Sequence, residues 1–90
     1  METTLRLIGF NASSAFMSAL KRSGAKPGDI IKASGKYYDT DVDCFVWPIV
    51  QSSSEIFNAK DLPGSWTCIT EYMIVNNENV QCRYNCFEII

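Results

Sequence analysis

The chain is predicted to be an α+β domain, a single domain spanning residues 1–90 with one principal helix packed on a mostly antiparallel sheet of about five strands. Three observations predict it. Only one segment carries a sustained apolar stripe at helical spacing, while short runs rich in β-branched and aromatic residues recur elsewhere between turn residues. The hydrophobic fraction is 47% and the charged fraction 20%, which suits a folded globule. Ninety residues suffice for one core and not for two.

The elements follow in chain order. Thr3 to Phe10 reads as a strand. Asn11 and Ser13 are helix N-cap candidates, and Ala12, Ala15, Phe16, Ala19 and Leu20 then form the apolar stripe of a helix over residues 12–23. Lys21 and Arg22 suit the negative end of its dipole, and Gly24 is placed to cap it. Lys26, Pro27, Gly28 and Asp29 make a turn, since Pro presets φ at the first central position and Gly accepts positive φ at the second. Strands are expected at Asp29–Ser34, at Lys36–Tyr38 after Gly35, and at Val42–Val50. Phe45, Val46 and Trp47 are apolar on both faces of the last of these, which suits a central strand, and Pro48 calls for a bulge or an end. Ser52 and Glu55 have capping-box spacing before Ile56, Phe57 and Ala59, and Pro63-Gly64 closes that short helix. The last 25 residues, from Trp66, read as a hairpin around Asn76–Asn79.

Three of the four cysteines lie in that hairpin. Val80, Cys82, Tyr84 and Cys86 alternate with polar residues, so Cys82 and Cys86 share the inner face about 13 Å apart at about 3.3 Å per residue. A disulfide needs Cα atoms about 4.4–6.8 Å apart, so these two do not bond along one straight strand. With Asn77-Glu78 as a two-residue loop, Val75 faces Val80, Met73 faces Cys82 and Ile69 faces Cys86, and Cys68 falls on the other face. The reading is of reduced thiols packed as small hydrophobes, with a cross-strand bridge left open to Cys44 alone. No C-x-x-C pair is present, and no metal or cofactor is expected.

Several chemistries are excluded or weak. The chain has no histidine, which removes the commonest general acid–base and the His-dependent nucleophile systems. Asp39, Asp41 and Asp43 have the first spacings of a calcium loop, but Cys44 stands where glycine is needed and Val50 where glutamate is needed. Ser18 and Lys21 have an acyl-transfer spacing without its companion motifs. The longest apolar run, Cys44–Val50, is far short of the roughly 20 residues of a membrane helix, and the N-terminus lacks the apolar stretch of a signal peptide. No membrane partner is expected, and the cytoplasm is the expected compartment.

The net charge of −2 is unevenly distributed. Residues 1–36 hold six basic and two acidic residues, or +4. Residues 37–90 hold two basic and eight acidic, or −6. Such a dipole orients a partner. The basic residues Lys21, Arg22, Lys26, Lys32 and Lys36 are little interleaved with aromatics in an acidic chain, so nucleic acid is not the expected partner.

Two site expectations follow. Tyr37, Tyr38 and Trp47 lie near Asp39 and Asp41, a combination that holds organic cations. Phe87 and Ile89 fall on an otherwise polar strand face and need a cover, which predicts a homodimer interface. The leading functional expectation is a small cytosolic interaction module without catalysis, acting on a protein partner or on itself. The alternative is a small-molecule binder, with organic cations among its candidate ligands, that has an aromatic and acidic pocket between helix and sheet.

Overall fold

The computed structural model describes residues 2–50, 68–78 and 80–90. Its strands are β1 (Glu2–Leu7), β2 (Ile30–Ser34), β3 (Tyr37–Asp39), β4 (Cys44–Pro48), β5 (Cys68–Thr70) and β6 (Phe87–Ile89). The helix, α1, spans Ala15–Arg22, and a 3-10 turn spans Glu71–Met73. The expected helix and capping box within residues 51–67 lie outside the described residues.

Helix α1 is set by local chemistry. Its N-cap is Ser14, whose hydroxyl accepts the Met17 N–H at 3.1 Å, and not the expected Asn11 or Ser13. Asn11 instead donates its side-chain amide to the Asn85 carbonyl at 2.7 Å, tying the helix approach to the C-terminal segment. At the other end Gly24 has φ +93°, Gly24 N–H bonds the Lys21 carbonyl and Ala25 N–H bonds the Leu20 carbonyl. That is a Schellman closure, which a glycine at the left-handed position favours. Phe16, Met17, Ala19 and Leu20 form the buried face. Ala15, expected in the stripe, is exposed, and Met17 takes its place.

The turn at residues 26–29 forms as predicted: Gly28 has φ +102°, and Asp29 N–H bonds the Lys26 carbonyl at 3.2 Å. It returns the chain as β2, antiparallel to β1 with Leu5 opposite Ile31. Leu5 and Leu7 point inward while Arg6 points out, as the alternation of a half-covered strand requires.

Among the described residues, the expected single sheet is instead two antiparallel sheets of three strands, β2-β1-β6 and β3-β4-β5. Gly35 and Lys36 interrupt the ladder between β2 and β3, so the chain changes sheets there. Pro48, without an N–H, ends β4 as expected, and beyond it Ile49 makes a single bridge to Ala33 of β2. A second bridge, parallel, joins Ile74 to Phe87. These two links connect the sheets on both sides of one core, to which α1 contributes Phe16, Ala19 and Leu20.

The C-terminal hairpin does not form. Strand β5 pairs with β4, and β6 pairs with β1, placing Ile89 opposite Leu5. Residues 80–86 have no ladder, despite their alternating pattern. Their backbone is held otherwise: Arg83 and Tyr84 both donate to the Tyr72 carbonyl at 3.0 Å, and Cys86 donates to Met73 at 3.2 Å. Asn76 acts as a side-chain surrogate for a strand, donating to the Ile89 carbonyl at 2.8 Å and accepting the Ile89 N–H at 2.9 Å.

Phe87 is accordingly buried completely within its own chain, opposite Leu7 and 6.5 Å from the Phe16 ring. Its side chain, placed at the expected interface, is covered within its own chain. Ile89 is half-buried and packs against the core. The cover these residues need comes from the chain itself, because β6 enters beside β1 and does not fold back on β5.

Candidate functional site

Strand β3 lies at the edge of its sheet, and its outer side pairs with no described strand. It leads into the turn 40–43, which fixes three carboxylates. Asp39 Oδ1 accepts the Asp41 N–H at 2.9 Å, an Asx turn. Asp43 sits at φ +57° and accepts the Tyr38 hydroxyl. That bond holds the Tyr38 phenol protonated and pushes its pKa up to about 12.

Because strand side chains alternate, consecutive residues of β3 serve different faces. Tyr38 lies across from Phe45, edge to face at 5.3 Å. On that face Lys36 Nζ stands 4.9 Å from the Phe45 ring and 5.9 Å from the Trp47 ring. The aromatic surface expected to hold an organic cation thus already holds the chain's own ammonium. Trp47 is buried at 4% exposure and belongs to the core, not to an open cage. Tyr37 and Asp39 are on the opposite face, across from Val46 and Cys44. Asp41 lies in the exposed turn. The five residues expected to make one pocket are therefore divided between two faces and a turn. Tyr37 and Tyr38 are both 49% exposed, and Val42 in the turn is 53% exposed.

On the Asp39 face a cavity of about 310 Å3 opens between the start of α1 and the second sheet. Phe16, Val42, Val46 and Met73 form its apolar walls. Ser14, Asp39, Cys68 and Thr70 supply its polar atoms, and among the described residues no basic side chain lines it. This is a helix–sheet pocket with a carboxylate, but Phe16 and not Tyr38 or Trp47 is its aromatic residue. Ser14, Phe16, Cys68, Thr70 and Met73 were not legible as site residues. Phe16 carried the one available signal, as a large residue near the start of the apolar helix stripe.

A second, wider depression of about 500 Å3 lies on the far side, where Lys36 and Trp47 meet Glu78 and Ile89. The basic and acidic halves follow the two sheets in part. The second sheet and its turn carry Asp39, Asp41 and Asp43, while β1, α1 and β2 carry Arg6, Lys21, Arg22 and Lys32. Glu88 of β6 crosses this division and pairs with Arg6 at 2.8 Å, with both side chains well exposed. Such a pair contributes about 0–1 kcal/mol.

All four cysteines are free thiols, Cys44 and Cys86 buried and Cys68 and Cys82 partly so. Burial pushes the thiols of Cys44, Cys68 and Cys86 up. At Cys68 the charge of Asp39 adds to that effect. No group of three or more metal-ligating side chains occurs among the described residues. Nor, among them, is any helix long and apolar enough to cross a membrane. The chain matches no protein-family model, no curated protein and no solved structure.

Proposed function

We propose that the protein is a non-catalytic interaction module that takes a basic, extended segment of a partner protein along the outer edge of β3. The observation that carries this reading is the exposure of Tyr37 and Tyr38, 49% each, on an edge strand that runs into three carboxylates. Edge strands bind extended segments through main-chain hydrogen bonds. Tyrosine supplies contact area at low cost in side-chain entropy and is enriched among residues that dominate binding. The carboxylates steer a basic partner and select against acidic ones. They also disfavour a second copy at this edge, since pairing β3 with itself would bring two sets of Asp39, Asp41 and Asp43 together. The absence of histidine from the sequence supports a non-catalytic role, and four free thiols support a reducing compartment such as the cytoplasm.

The test is crosslinking from a photoreactive phenylalanine at position 37 in cell extract, with the adducts identified by mass spectrometry. One recurrent adduct on a basic segment is expected, competed by wild-type protein, weakened by salt and lost in Asp41→Lys. Adducts indifferent to salt and to Asp41→Lys, from a protein that remains folded, refute the assignment.

A further inference from the structure

We propose that the cavity between α1 and the second sheet is a specificity pocket for a lysine side chain, with Asp39 as the counter-charge for its ammonium. This rests on the β3-edge reading, because a strand added to β3 places alternate side chains on the face that carries Tyr37 and Asp39.

The size fits. A cavity of about 310 Å3, at the lower end of ligand pockets, which run about 300–1,000 Å3, has room for one long side chain. The walls fit as well. Phe16, Val42, Val46 and Met73 offer apolar contact for a four-carbon stem, and Val42 stands exposed at the mouth. Asp39 supplies the charge, and among the described residues no basic side chain lines the cavity beside it. Its field reaches across the sheet to β5, where it contributes to holding the Cys68 thiol protonated.

Two comparisons select lysine over the other candidates. Arginine binds carboxylates best as a fork that engages both oxygens. Here Asp39 Oδ1 already accepts the Asp41 N–H at 2.9 Å, which leaves a better site for a point-like ammonium. An acidic side chain would gain from the N-terminal end of α1, which also borders the cavity. That end carries about half a positive charge, and Ser14 already caps one of its N–H groups. The full charge of Asp39 outweighs it.

The site can be tested without knowledge of the partner. Isotope-labelled protein is titrated with N-acetyl-lysine methylamide, and separately with the norleucine, arginine and glutamate analogues, while backbone amide shifts are followed. The lysine probe is expected to bind in the millimolar range and to shift Val42, Val46 and Thr70. Asp39→Asn should weaken it by about tenfold or more, the scale of a charge-assisted hydrogen bond, while norleucine binding is unchanged. Ala15→Trp, an exposed position at the rim, should block both probes without disturbing the core. Equal binding of lysine and norleucine, or no loss in Asp39→Asn, overturns the proposal, as does the absence of shifts with every probe. Loss of the position-37 crosslink with the lysine shifts intact would instead refute the edge reading and leave the pocket standing.

Discussion

Truncating Phe87 tests the central feature of the fold, the entry of β6 into the core. Phe87 is fully buried, its ring lies 6.5 Å from that of Phe16, and its carbonyl accepts the Val75 N–H at 3.0 Å. Phe87→Ala leaves the backbone bonds in place and removes the ring, so its cost is one of packing, about 3–5 kcal/mol. A domain of 90 residues has about 5–13 kcal/mol of stability in total, at about 0.05–0.15 kcal/mol per residue. The variant therefore loses a large share of it. With a urea slope of about 1–1.5 kcal/mol/M for so small a protein, the unfolding midpoint falls by about 2–5 M. Should that leave Phe87→Ala unfolded even without urea, Phe87→Leu keeps most of the volume and should cost less than about 1.5 kcal/mol. Ile89→Ala, at a half-buried position, should cost about 1–2 kcal/mol. The assay is urea unfolding followed by tryptophan fluorescence, with light scattering on the same samples. A Phe87→Ala protein within about 1 kcal/mol of wild type, at unchanged slope, would refute the burial of this ring in the monomer core. So would a substitution at Phe87 that dissociates an assembly and leaves subunit stability intact.

Four further outcomes are expected. Ser14→Ala removes the side-chain cap of α1 and should cost about 1 kcal/mol in thermal or urea unfolding, whereas Ser18→Ala, exposed on the same helix, should stay within about 0.5 kcal/mol. In an alkaline ultraviolet titration of the four tyrosines, one should ionise late, at about 12. Tyr38→Phe should remove that late step and Asp43→Asn should move it back toward the ordinary value of 10.0, because the hydrogen bond to Asp43 is its first cause. The denatured protein should react with about four equivalents of thiol reagent without prior reduction, and Cys44 and Cys86 should react most slowly in the native state. The raised thiols of Cys44, Cys68 and Cys86 mean that the folded state holds protons the unfolded state releases. Their contribution to stability is thus fully present below the unfolded thiol value of 9.0 and declines as pH rises above it. Stability that increases through that range would contradict the burial of these thiols.

Features governed by neighbouring residues were legible in the sequence. The Pro27-Gly28 turn, the Gly24 closure, the Phe16, Ala19 and Leu20 face, and the end of β4 at Pro48 all depend on contacts within a few positions. Strand pairing was not legible in the same way. Alternation says which side chains share a face, but not which strand lies alongside. The pattern of Val80, Cys82, Tyr84 and Cys86 suited a strand, yet the backbone there bonds Tyr72 and Met73 outside any ladder. Pairing with β5 would turn Phe87 and Ile89 outward. Once β6 lies beside β1, Phe87 faces Phe16 inside the core.

The sequence by itself determined the main helix among the described residues, the antiparallel character of the strands, and the concentration of acidic residues after residue 36. It also brought Tyr37, Tyr38, Asp39 and Asp41 into one short stretch. Only the tertiary structure decided that these residues part to opposite sides of β3, and that Lys36 occupies the aromatic face. It likewise decided that Asp39 shares a cavity with Phe16 and Met73, which lie in distant parts of the chain. The reason is physical: the cavity is what remains between surfaces after all segments have competed for the same core, and no local spacing encodes the shape of that remainder.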